Sequence, residues 1–285
     1  MERAPVFIIG CPRSGTTVFL DVLAAHDGLA WVSDQLDRRP DQPARALLNR
    51  LYQLPAAGSV LYRNRERSSV LPEASEPWEF FGYHLDRFKP RTQAPYNEEP
   101  RNPLPEDMSD SEVEAIRAAV SDVMRRQNRN LFVSKYTDYP RMQYLSKAFP
   151  DARFVHIIRD GRAVALSYSD KMNSGSFGTW DERDVWVKAI SEADRNRWED
   201  TEQSPLTLGL LLWKYFVQEI RTEAPEVGDR YIEVRYSDLV KNRHAMLTDV
   251  LDFAGLDWTP RFAADVARMD LYDMNRKWRE KLPDH

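Results

Sequence analysis

The chain has 285 residues, enough for a domain with a substantial core, and its 42% hydrophobic and 30% charged residues are those of an ordinary globular protein. A formal net charge of −5 argues against broad electrostatic capture of nucleic acid or an anionic membrane, while leaving room for a local basic pocket. Cys11 is the one cysteine, which excludes an internal disulfide framework; no stretch approaches the roughly 20 apolar residues of a membrane span, and residues 1–10 lack a small-residue cleavage site, so the expected compartment is the cytoplasm.

Residues 6–9 form a short apolar, β-rich run ended by Gly10 and Pro12, which predicts a buried strand. Residues 16–25 follow with Val18, Leu20, Val22 and Leu23 at spacings a helix accepts. Residues 29–110 are rich in Arg, Pro, Asp and Glu and poor in periodic apolar positions. They read as an irregular excursion with short helices, a length of chain that often carries function and here the expected acceptor-binding region. A helix is predicted over 109–126 with Ser109 or Ser111 as its cap, then a buried strand at 131–133 and a helix at 140–149 with proline in its first turn. A strand at 154–158 leads into a helix over 162–169. Longer helices at 184–199 and 205–223, a strand at 231–236 and a helix at 245–254 complete the pattern. Strands alternating with helices over residues 1–285 predict a single α/β domain, a parallel β-sheet flanked by helices.

Between the first strand and first helix runs Gly10-Cys11-Pro12-Arg13-Ser14-Gly15-Thr16-Thr17. Two glycines five apart let the backbone fold tightly, and a helix N-terminus behind them favours a phosphate-like anion. Thr16 and Thr17 add hydroxyl donors and Arg13 a full charge. The glycine spacing matches that of the nucleoside-triphosphate loop, but Thr16 stands where that loop needs the lysine that reaches the β- and γ-phosphates. Residues 154–167 repeat the strand–turn–helix plan, with Arg159 at the carboxyl end of the strand, where open parallel sheets bind ligands, and Ser167 eight residues on. An arginine and a hydroxyl so placed can share one phosphate.

The run Pro12-Arg13-Ser14-Gly15-Thr16-Thr17 resembles the 5′-phosphosulfate loop of the sulfotransferases that use 3′-phosphoadenosine 5′-phosphosulfate (PAPS). Arginine before Ser-Gly-Thr-Thr is closer to the tyrosylprotein-type and bacterial members than to the cytosolic ones, which carry lysine. Arg159 and Ser167 fall on the two marks of the family's 3′-phosphate motif. The resemblance implies a nucleotide-kinase-like, P-loop-type sulfotransferase fold, and transfer of the sulfuryl group from PAPS to a hydroxyl or amine by in-line displacement. It also implies a nucleotide site made by residues 11–17, Arg159, Ser167 and Lys277, with Lys135 near the transferring group. Lys277-Trp278 resembles a pair in the tyrosylprotein enzymes, and residues 35–110 and 175–230 match no family segment.

Such a transfer needs cations at the sulfuryl and bridging oxygens and a base for the nucleophile's proton. Arg13 and Lys135 are the candidate cations. Asp34, 21 residues after Arg13, matches the offset of a family glutamate and is the leading candidate base. Glu76, Glu79 and His84, in an aromatic stretch from Ser75 to His84, are the alternatives and candidate acceptor contacts. No cluster has metal-ligand spacing, so no metal is expected. The acceptor class stays open among small molecules, glycans and peptides. Two rival readings remain: a nucleotide or small-molecule kinase with a divergent phosphate loop, and a non-catalytic module binding PAPS or its 3′,5′-bisphosphate product.

Overall fold

The apolar run Val6–Gly10 forms β1, which lies at the centre of a five-stranded sheet in the computed structural model. The structure describes residues 3–53, 71–88, 101–174 and 186–281. Leu29–Ala30 (β2), Leu131–Thr137 (β3), Arg153–Ile158 (β4) and Tyr231–Arg235 (β5) complete the sheet in the order β2-β3-β1-β4-β5, with every pairing parallel. The strand order reverses at β1, so a crevice opens above the carboxyl ends of β1, β3 and β4, where such sheets bind ligands.

Alternate residues of each strand face opposite layers, as the two-residue pleat requires. Phe7, Ile9, Phe132, Tyr136 and Phe154 pack into one core cluster, and Val6, Ile8, Val133, Val155 and Ile157 into another. The helices are Thr16–Ala24 (α1), Asp34–Asp37 (α2), Trp78–His84 (α3), Asp110–Gln127 (α4), Met142–Ala148 (α5), Gly161–Asn173 (α6), Glu192–Asp200 (α7) and Pro205–Val227 (α8). Tyr236–Lys241 (α9), Arg243–Ala254 (α10), Pro260–Ala267 (α11) and Lys277–Lys281 (α12) follow β5. No helix among the described residues is long and apolar enough to cross a membrane.

Helices α6 and α8 cross at close range because residue 209 is glycine: a Cβ there would meet Tyr168 Cβ at 2.8 Å and Ala165 Cα at 3.0 Å. That contact seats α6 and, with it, Ser167.

The differences from the sequence expectations are instructive. The helix expected over 184–199 breaks at Ile190, and Ser191 caps a new helix by accepting from Asp194 N at 3.2 Å; residues 184 and 185 lie outside the described set. Strand β3 runs four residues past Val133 to Thr137, because the polar residues Ser134 and Lys135 are still buried in the sheet. Residues 29–110 are less separate from the core than their composition suggests. They add the edge strand β2, a 3-10 stretch at Pro43–Gln53, and the buried Leu36, Phe80, Phe81, Leu85, Phe88 and Met108.

Candidate active site

Arg13 and Gly15 both adopt left-handed backbone, φ 73° and 92°, and Ser14 N donates to Cys11 O at 3.1 Å. For Arg13 such a conformation costs about 1–3 kcal/mol, a strain that tertiary structure must hold. Gly15 has a second reason to be glycine, since a Cβ would lie 2.4 Å from the Tyr236 ring. Helix α1 then starts with no side-chain cap; its first intrahelical bond runs from Phe19 N to Gly15 O. The N–H groups of its first turn are thus available to an anion.

The two motifs of the sequence, about 145 residues apart, meet here. Arg13 Nε donates to Ser167 Oγ at 2.9 Å, and Arg159 Nη1 donates to Arg13 O at 3.0 Å. Arg159 also donates from Nη2 to Met274 O at 2.6 Å and from Nε to Asn275 Oδ1 at 2.9 Å, and its guanidinium lies 4.9 Å from the Tyr236 ring centroid. Burial pulls the Arg159 pKa below its ordinary value. Trp213 Nε1 donates to Arg159 O at 3.1 Å, and Asp160 caps α6 by accepting from Arg162 N at 2.9 Å.

Arg13, Gly15, Arg159, Ser167, Tyr236 and Met274 line a cleft of about 490 Å³ together with Thr16, Thr17, Lys171, Asp170 and Lys277. Arg13, Arg159, Lys171 and Lys277 make it locally basic within an acidic chain, and its amides and hydroxyls suit phosphate or sulfate oxygens. Cys11 does not reach the cleft: its thiol is fully buried against α6 and α8 beside Tyr168, and burial raises its pKa far above the usual thiol range. Pro12 does not line the cleft, and Ser14 is 1% exposed. Pro12 has no N–H, and the Ser14 N–H is already bonded to Cys11 O, so these positions shape the loop's turn.

At the other end of the loop, Lys135 Nζ donates to Thr17 Oγ1 at 2.9 Å and to Glu76 Oε2 at 3.1 Å. Thr137 N and Thr137 Oγ1 both donate to Glu76 Oε1 at 2.6 Å. Asp34 is engaged elsewhere: its Oδ1 accepts from Glu73 N at 3.0 Å and its Oδ2 lies 3.2 Å from Arg38 Nη2. Glu79 is exposed on α3, and His84 ends that helix against the Phe80 and Tyr83 rings, where burial lowers its pKa. The structure thus brings Glu76 and Lys135 together beside Thr17. Among the described residues no group of His, Cys, Asp or Glu could hold a metal ion.

Tyr236 and the 272–275 segment escaped the sequence reading. The signal was available for Tyr236, which directly follows β5 just as Arg159 directly follows β4. Met274 and Asn275 contribute a carbonyl and an amide oxygen to Arg159 and carry no recognisable pattern.

A model of the sulfotransferase family matches residues 5–260. Carbohydrate sulfotransferase 5 of Mus musculus is 25% identical over 166 residues, 49% of this chain and 38% of that protein. The chain therefore spans well under half the length of the relatives it matches. Among solved structures, the sulfotransferase domain of the Synechococcus PCC 7002 olefin synthase superposes with a TM-score of 0.51 at 19% identity, covering 97% of this chain and 88% of that one. A sulfotransferase from Mycobacterium avium gives 0.54 at 14% identity, covering 100% and 70%. These likenesses establish the fold.

Proposed function

We propose, from the premise that this chain belongs to the sulfotransferase family, that it transfers the sulfuryl group of PAPS to a hydroxyl or amine of a small-molecule, glycan or peptide acceptor. The observation that carries this reading is the junction of Arg13, Ser167 and Arg159 in one basic cleft. In this assignment Arg159 and Ser167 take the 3′-phosphate, and Lys277 adds charge at the rim. The α1 amides, Thr16, Thr17 and Arg13 take the 5′-phosphosulfate. A cleft of about 490 Å³ lies within the range of small-ligand sites.

The acceptor oxygen or nitrogen forms a bond to sulfur while the bond from sulfur to the 5′-phosphate oxygen breaks. That electron pair leaves with 3′-phosphoadenosine 5′-phosphate, and the acceptor's proton goes to a carboxylate. Arg13 and Lys135 face the charge that builds on the sulfuryl and bridging oxygens, where fixed cations are most effective. We assign the proton to Glu76 ahead of Asp34, because Glu76 is the carboxylate bonded to Lys135 beside the loop.

Calorimetry tests the donor assignment. The 3′,5′-bisphosphate is expected to bind far more tightly than AMP or ATP; equal affinity for AMP removes the basis for the 3′-phosphate site.

A further inference from the structure

The carboxyl end of β3 carries a buried unit that the transfer chemistry does not touch directly. Asp138 and Arg141 adopt φ of 79° and 50°, left-handed values for two residues that are not glycine. They are 5% and 3% exposed, and Arg141 Nη1 donates to both Asp138 Oδ1 and Tyr139 O, the latter at 2.9 Å. The guanidinium lies 4.9 Å from the Trp78 ring centroid and 5.1 Å from that of Phe88, while its Nε has no partner among the described residues. A buried ion pair in a strained turn contributes little net stability, so what it holds in place is the informative question.

Its two anchors flank one carboxylate. Asp138 directly follows Thr137, whose N–H and hydroxyl grip Glu76 Oε1. Trp78 stands two residues after Glu76, at the start of α3. One planar cation therefore joins the strand that supplies the grip to the segment that supplies the carboxylate. The same turn is tied down from behind: Arg141 N donates to Asn102 Oδ1 at 3.0 Å, Asn102 Nδ2 to Glu223 Oε2 at 2.9 Å, and Gln143 N to Glu223 Oε1 at 2.6 Å.

We propose that Arg141 is a positioning residue for the transfer step, setting the Glu76 carboxylate and, through it, the Lys135 ammonium against Thr17. The inference rests on the reading of Glu76 and Lys135 as the acceptor-side pair. Lysine cannot replace arginine here, because the planar face on Trp78 and the Nη1 donors to Asp138 Oδ1 and Tyr139 O are both used.

The test uses the full chain and reads release of radiolabelled sulfate from labelled PAPS with water as acceptor, which needs no identified substrate. Arg141→Lys is expected to lower kcat about tenfold while the PAPS KM and the bisphosphate Kd stay within twofold. In a Glu76→Gln background the same change is expected to cost nothing further, because the group it positions is already disabled. Should Arg141→Lys fail to fold, as judged by circular dichroism and melting, Trp78→Leu removes the stacking face from the other side and is expected to give the same pattern. Unchanged kcat, or losses that simply multiply in the double variant, overturn the proposal. A Glu76→Gln enzyme with normal turnover and normal bisphosphate binding overturns the Glu76 assignment and the Arg141 proposal together. Failure of the unaltered protein to prefer the bisphosphate over AMP overturns the donor reading on which both stand.

Discussion

The basic cleft takes its cations, hydroxyls and amides from segments that follow β1, β4 and β5, whereas the acidic wall of Asp34, Asp37 and Glu76, which meets the cleft at the Lys135–Thr17 contact, is drawn from the excursion between β1 and β3. On the cleft side, Arg13, Arg159 and Tyr236 follow β1, β4 and the edge strand β5 within three residues, so the sheet register itself sets where these three stand. On the wall, placement depends on side-chain bonds across long separations. Asn49 Nδ2 and Gln127 Nε2 both donate to Trp31 O, at 2.9 and 2.8 Å, and Asp37 Oδ1 accepts from Phe80 N at 2.8 Å. A frame shared with the sheet core holds chemistry that must not move, and side-chain staples hold a surface that can change without unfolding the protein.

The contrast between the two sides can be broken first where they meet. Glu76→Gln is expected to cut kcat by about 10²–10⁴, the span for a lost general base, and to leave bisphosphate affinity nearly unchanged. Asp34→Asn is the control, expected to cost far less. The reverse ranking in the same sulfate-release assay would return the proton to Asp34. On the donor side, Arg159→Ala is expected to weaken the bisphosphate by about 2–4 kcal/mol in calorimetry, the loss of a charge-assisted contact in a half-buried site.

Gly15→Ala probes the frame. Strain at φ 92° and the Tyr236 collision are expected to cost about 2–3 kcal/mol in denaturant unfolding. An unchanged midpoint would mean that Tyr236 does not seat the loop. On the wall, burial, with the nearby Glu79 and Glu76 charges adding to it, pushes the Asp37 carboxyl from 3.8 up to about 6. The folded state therefore binds that proton more tightly than the unfolded chain. This contribution to stability is fully present below about pH 4 and is lost as pH rises through 6. Asp37→Asn keeps an acceptor for Phe80 N and is expected to be more stable than the native chain by about 1–2 kcal/mol at pH 7, with the gap closing toward pH 4. A gap that widens on acidification would contradict the assigned direction. The smallest effect expected is that of EDTA. With Arg13, Lys135 and amides supplying the positive charge, turnover is expected to survive chelation, and restoration of lost activity by magnesium would favour a phosphoryl-transfer chemistry.

Much of the donor side was legible in the residues alone. A buried apolar strand, two glycines five apart and a following helix leave few backbone solutions, and Arg159 with Ser167 repeats the plan. Local periodicity fixes such units because strand, turn and helix are each decided by neighbouring residues. The same logic explains the misses. The break at Ser191 had a local mark, a serine cap with Asp194 three residues on, that the longer helical pattern hid; nothing local marks the extension of β3 through Lys135 or the 272–275 segment that bonds Arg159.

The sequence by itself determined the parallel α/β sheet, the strand–turn–helix unit at residues 10–17 and three of the four cations that line the cleft, Arg13, Arg159 and Lys277. Only the tertiary structure decided which carboxylate stands beside Lys135. Asp34, Glu76 and Glu79 are chemically alike, and sequence offset favoured Asp34. The burial of α2 and α3 against the sheet turned Asp34 to the Glu73 amide and Arg38, and Glu76 to Thr137 and Lys135. A carboxylate's partners depend on contacts between segments some sixty residues apart, such as Glu76 and Thr137, and no local spacing encodes such contacts.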